Sequence, residues 1–166
     1  MNGKKLLIIG AGQYGAVARE TAEATGCFSK ISFLDDNNPA GIGKTSELAA
    51  FAQEYASVFV AIGNPDVRLE WIEKAEKAGY EIATLISPKA YVSPSARLMT
   101  GTIVEPCASI QSNTLIEKGC LISSGAVINH NATIGRGCHI DCNATVAARS
   151  NVPQKTKVEC GKVYRE

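Results

Sequence analysis

The chain has 166 residues, 17 basic and 16 acidic, with a net charge of +1, 45% apolar and 20% charged content. That length allows one ordinary domain or two small ones, and the composition is globular, which excludes wholesale disorder. No Lys/Arg block and no apolar run near the ~20 residues of a membrane span are present, so neither a dedicated nucleic-acid binder nor a membrane protein is expected.

The opening Met1–Lys5 carries two lysines and leads into an apolar run too short for a secretory leader. It suits the first strand of a cytoplasmic fold. Lys4–Gly10 reads as that strand, buried and ending in glycine. Tyr14–Thr25 reads as a helix stopped by Gly26. Ile31–Asp36 is a second strand ending in acids. Ser46–Tyr55 is a helical run with Ser46 as N-cap. Val58–Gly63 is a third strand, Pro65–Ala78 a helix with proline in its first turn, and Glu81–Ser87 a fourth strand. The alternation predicts an α/β, Rossmann-like half domain with four parallel strands over residues 1–87.

From Val92 a six-residue period replaces the helical one. Val92, Leu98, Val104, Ile110, Ile116, Ile122, Ile128, Ile134, Ile140, Val146, Val152 and Val158 are consecutive sixth residues, all branched aliphatics. Four residues after them come small residues, from Ala96 through Cys120 and Cys138 to Thr156. This predicts an all-β left-handed hexapeptide β-helix of about four coils over residues 88–166. The aliphatic fills the interior of each side and the small residue fits near the corner. Cys120 and Cys138 are then core residues. Cys142 and Cys160 fall at an outward position, where a stacked thiol pair could bind a metal or oxidise. The six cysteines include no C-x-x-C pair, so no metal centre is expected.

Two groups of residues carry candidate chemistry. Gly10-Ala11-Gly12-Gln13-Tyr14-Gly15 matches G-x-G-x-x-G between a strand and a helix, with Asp35 and Asp36 ending the next strand. The glycines allow a phosphate to approach the helix N-terminus, and the acids can accept from ribose or base. Asn64 and Arg68 follow the third strand, where ligands of open α/β sheets bind; Arg68 reads either as a phosphate partner or as a solvated helix charge. In the repeat lie the only two histidines, His130 and His139. His130, two residues after Ile128, should point outward, where imidazole suits proton removal near neutral pH.

Together, Lys4–Gly15, Phe33–Asp36, Ala61–Arg68, Leu85–Ala96 and Gly125–Gly135 (GAVINHNATIG) resemble the NeuD/PglD family of sugar O- and N-acetyltransferases. The resemblance implies an N-terminal domain that binds a sugar or UDP-linked amino sugar. Gly10, Gly12, Gln13 and Tyr14 would lie by the phosphates, with Asp35 and Asp36 at the base. It implies a homotrimer with acetyl-CoA between neighbouring β-helices and no metal. His130 would be the general base, and His139 would help to place the acetyl group beside a backbone N–H that steadies the oxyanion. The chain departs from the family in three ways. Asn131 stands where an acid usually follows the histidine, Tyr14 where many members have histidine, and the repeat runs about one coil past His139 where relatives carry roughly two more. Two other readings fit the same residues: a nucleotide-sugar binder that has lost CoA use, and a small NAD(H)-binding protein.

Overall fold

The computed structural model describes residues 3–166. The chain divides into two compact units, one ending at Ala83 and one spanning Thr84–Glu166.

In the first unit, β1 (Lys4–Ile9), β2 (Phe28–Leu34), β3 (Ser57–Val60) and β4 (Glu81–Ile82) form one parallel sheet in the order β2-β1-β3-β4. Leu6–Ile9 are fully buried, which is why β1 reads as an unbroken apolar run rather than an alternating one. Helix α1 (Gln13–Thr25) ends where Gly26 turns left-handed, with φ 66°. Helix α2 (Pro65–Lys77) starts behind Asn64, whose side-chain oxygen accepts from the Asp66 and Val67 N–H groups at 3.0 and 3.1 Å. Asp66 in its first turn and Lys74 and Lys77 in its last complement the helix dipole. Leu7, Ile9, Leu34, Tyr55, Val58, Leu69 and Ile72 form the core on one side of the sheet.

Two predicted elements change. The helix expected from Ser46 is a 3-10 helix over Thr45–Phe51. Its start is held from both sides: Asp36 accepts from the Thr45 N–H at 2.9 Å, and Glu47, at the third helical position, reaches back to accept from the Lys44 N–H at 2.7 Å. The fourth strand expected over 81–87 is split. Glu81–Ile82 stays in the parallel sheet, while Leu85–Ile86 pairs with Ile103–Val104 in the second unit.

The second unit is the predicted left-handed β-helix. Fourteen two-residue rungs, from Leu85–Ile86 to Val163–Tyr164, form three parallel sheets of five, five and four strands. Each rung pairs with the one 18 residues away, as in Leu121↔His139 and Ile122↔Ile140. That gives between four and five coils. The second residue of every rung but the last is the hexad aliphatic, and those from Val104 to Val146 are fully buried with Ala126, Cys120 and Cys138 between them. Ile86 and Tyr164 extend the series by one rung at each end.

The turns obey a second period. From Gly101 to Gly161 every sixth residue has positive φ. Five are glycine and three are Asn113, Asn131 and Asn143, the residue types that tolerate the left-handed region. Cys107, Arg149 and Lys155 occupy the same conformation against that preference.

Candidate functional site

The glycine-rich turn is built by close approach. Gly10 has φ 98°, and a Cβ there would lie 2.9 Å from the Ala61 carbonyl oxygen. A Cβ on Gly15 would collide with the Gly10 carbonyl, so α1 packs onto the turn only because this residue is glycine. Above Gly12, the N-cap of α1, nothing lies within 4 Å of an added Cβ. No side chain caps that end and no acid stands in the first turn of α1. Gln13 is exposed at the first helical position and Tyr14 is half-buried beside it.

Asp35 holds this turn in place. One carboxylate oxygen accepts from the Ala11 N–H at 2.8 Å; the other accepts from Asn37 and Asn38 N–H at 2.9 and 2.8 Å. The Asn38 side-chain amide donates to the Ala11 carbonyl at 2.7 Å, so the Ala11 residue is gripped from both sides. These N–H bonds, Ala11's first, hold the Asp35 carboxyl below its ordinary range. Asp36 is exposed and accepts from the Thr45 N–H and hydroxyl. A cleft of about 380 Å³ opens here, lined by Asp35, Asp36, Asn38, Pro39, Lys44 and Glu47 among others. Asn38, Lys44 and Glu47 escaped the sequence reading. The Asn-Asn-Pro run after Asp36 was the signal, since such residues make turns that bond their own backbone.

Arg68 is neither of the things the sequence offered. It is fully buried, and its guanidinium donates to the Ile62 and Gly63 carbonyls at 2.7 and 2.8 Å. It fastens the β3–α2 turn and presents no cation to solvent. Asn64 sits exposed on that turn, its oxygen engaged in capping α2.

In the β-helix, His130 is exposed at the corner after the Val127–Ile128 rung. Its Nδ1 lies 2.9 Å from the Asn131 Nδ2. With the amide nitrogen in place, Nδ1 accepts and the ring proton sits on Nε2. Turned over, the amide presents its oxygen, Nδ1 donates, and Nε2 is free to take a proton. Asn131 has φ 58°, so the backbone itself favours asparagine there over longer acids. Around it, Asn129 donates to the Val146 carbonyl at 3.1 Å, the Asn131 N–H to the Ser112 carbonyl at 2.9 Å, and the Arg149 N–H to the His130 carbonyl at 3.1 Å.

His139 lies on a different sheet, with the Thr133–Ile134 rung between the two histidines. It is half-buried; its Nε2 is 3.0 Å from the Ser123 hydroxyl and 3.8 Å from Asp141. Burial pushes the Asp141 carboxyl up, but the Cys142 N–H, Lys157 and His139 outweigh it and hold it below the usual range. A single chain therefore does not bring His130 and His139 to one point.

Cys120 and Cys138 are buried, their thiols directed at the Gly135 and Pro153 carbonyls. Cys142 is half-buried and Cys160 exposed, both as free thiols; burial, then Glu105, Asp141 and Cys160, pushes the Cys142 thiol up. Among the described residues no three His, Cys, Asp or Glu gather as a metal site, and no helix is long and apolar enough to cross a membrane.

Comparison with known proteins agrees with this layout. Residues 5–75 match the PglD N-terminal domain, and residues 113–148 match the bacterial transferase hexapeptide family of six repeats. PerB from Caulobacter crescentus, solved in complex with CoA and GDP-perosamine, is 26% identical with a TM-score of 0.85. The match covers 97% of this chain and 88% of that one. The acetyltransferase domain of PglB from Neisseria gonorrhoeae is 27% identical with a TM-score of 0.79, covering 98% and 92%. The same domain has been solved in complex with acetyl coenzyme A, at 27% identity and a TM-score of 0.67, covering 96% and 89%.

Proposed function

We propose, from the premise that this chain is a NeuD/PglD-like sugar acetyltransferase by its PglD N-terminal domain and hexapeptide repeats, that it acetylates a nucleotide-linked sugar from acetyl-CoA with His130 as general base. The observation that carries this is the exposed imidazole of His130, held at a β-helix corner by the Asn131 amide. The relatives solved with CoA and GDP-perosamine, and with acetyl coenzyme A, support the choice of donor and acceptor class.

The N-terminus of α1, open above Gly12, suits the acceptor's diphosphate, and the cleft at Asp36 and Lys44 suits its base and ribose. Asp35 and Arg68 act through the two turns they hold. With the Asn131 amide turned so that its oxygen accepts from Nδ1–H, the sugar amine or hydroxyl attacks the thioester carbonyl as its proton passes to His130 Nε2. The C–S bond then breaks, and the imidazolium returns the proton to the leaving thiolate. Both histidines serve one centre only if His139 comes from a neighbouring copy, which fits the homotrimer with the donor between subunits that the family resemblance implies.

The test is calorimetric titration with acetyl-CoA, followed by thiol release in the presence of GDP- and UDP-linked amino sugars. Binding near one site per chain, with turnover lost in His130→Ala, supports the reading. A nucleotide sugar that binds without any CoA binding would replace it with a non-catalytic sugar binder. Binding of NADH in preference to both would favour a dinucleotide protein. A monomer by light scattering would refute the intersubunit centre.

A further inference from the structure

The corner between the His139–Ile140 and Thr145–Val146 rungs carries Cys142, and the same corner one coil on carries Cys160. Their register is fixed on both sides: Ile140 pairs with Val158 and Thr145 with Val163. Between those pairs the Gly161 N–H donates to the Cys142 carbonyl at 2.9 Å, so the two backbones touch at the cysteines. Each thiol residue precedes a left-handed one, Asn143 with φ 55° and Gly161 with φ 67°, so both side chains leave the corner the same way. Coils in register stack at about 4.8 Å, inside the Cα separation of about 4.4–6.8 Å that a disulfide spans.

The coil that holds Cys160 is the last one described. Its rungs, Asn151–Val152, Lys157–Val158 and Val163–Tyr164, each end a sheet and have a paired strand on one side only. Such an edge is where local opening starts. Among the described residues no group of three His, Cys, Asp or Glu able to hold a metal forms around the two thiols, so the pair's own chemistry is oxidation.

We infer that Cys142 and Cys160 are a modification site, a reversible disulfide formed by exchange with a low-molecular-weight disulfide such as oxidised glutathione, which fastens the last coil to the one before it. Cys160 reacts first because it is exposed, whereas burial, then Glu105, Asp141 and Cys160, keeps Cys142 protonated. The Cys160 thiol gives up its proton and its sulfur attacks one sulfur of the small disulfide. That S–S bond breaks, and the departing thiolate takes the proton as a first free thiol. Cys142 then attacks the Cys160 sulfur of the mixed disulfide and expels the second small thiol, which carries away the Cys142 proton. Two cysteine thiols are oxidised to one disulfide, and one small disulfide is reduced to two thiols. An exposed bond of this kind is labile, so reduced glutathione reverses it.

The test uses the full chain with the other two exposed thiols removed, as Cys27→Ser and Cys107→Asn, the latter suited to its left-handed turn. This parent is treated with oxidised and then reduced glutathione, beside the same protein carrying Cys142→Ser or Cys160→Ser. We expect the parent to lose the mass of two hydrogens and to retain no glutathione. A non-reducing tryptic digest should join residues 137–149 to 158–162, and reduced glutathione should restore both thiols. With Cys142→Ser the reaction should stop at one glutathione on Cys160, and with Cys160→Ser no modification should occur. Amide hydrogen exchange over residues 157–166 should slow about tenfold when the parent is oxidised. Glutathione retained on the parent, a bond between two chains, or a digest joining any other cysteines overturns the site. A correct bond that leaves exchange in the last coil unchanged overturns the fastening role.

Discussion

Replacing Asp35 with asparagine keeps the size of the side chain and removes its charge. In the wild-type protein the two oxygens take three backbone N–H groups at 2.8–2.9 Å. The asparagine oxygen can keep the Asn37 and Asn38 pair, but its NH₂ then faces the Ala11 N–H, donor against donor. One charge-assisted bond is lost and two are weakened, a cost of about 2 kcal/mol. For a unit of this size that moves a urea midpoint by roughly 1 M or more. Trp71, the only tryptophan in the chain, packs against the core of the same unit, so its fluorescence reports that unit alone. The pH dependence has a definite sign. The folded Asp35 carboxyl lies below its ordinary value near 3.8, so its stabilisation is complete above the unfolded pKa and fades as pH falls through the folded one. The gap between wild type and Asp35→Asn should be full at pH 6 and close below about pH 4. An equal midpoint at pH 6, or a gap that persists undiminished at pH 3, would refute the clamp.

His130→Ala should abolish acetyl transfer, seen as loss of thiol release, with an unaltered circular-dichroism melt because the side chain is exposed; retained turnover would end the general-base mechanism. Asn131→Asp tolerates the left-handed turn and places a carboxylate at Nδ1, which favours the tautomer with Nε2 free. We expect kcat to rise about three- to tenfold, the effect of roughly 1 kcal/mol for an exposed charge pair, and an unchanged or lower kcat would show that the amide oxygen already serves. Ile128→Ala should cost about 2–5 kcal/mol in the β-helix melt, since the side chain is fully buried; a loss below about 1 kcal/mol would show a core that collapses around the gap.

The β-helix was legible in the sequence because each rung buries its aliphatic against neighbours of the same kind. A strict six-residue period therefore determines the coil, the inward set from Val92 to Val158, the burial of Cys120 and Cys138, and the exposure of His130. The glycine-rich turn and the parallel sheet were legible for a similar reason: Gly10, Gly15 and the run Leu6–Ile9 state local and two-face constraints directly. The terminal rungs escaped because Leu85–Ile86, though in register, reads equally as the end of the fourth strand, and Tyr164 is not aliphatic. The remaining roles depended on contacts between residues far apart in the chain. Asp35 reached Ala11 across 24 residues, Asp36 rather than Ser46 capped the 3-10 helix, and Arg68 turned inward to the Ile62 and Gly63 carbonyls. Periodicity reports which face a side chain occupies. Whether a charge on that face meets solvent or a backbone carbonyl, as Arg68 does, is decided only when the elements are packed together.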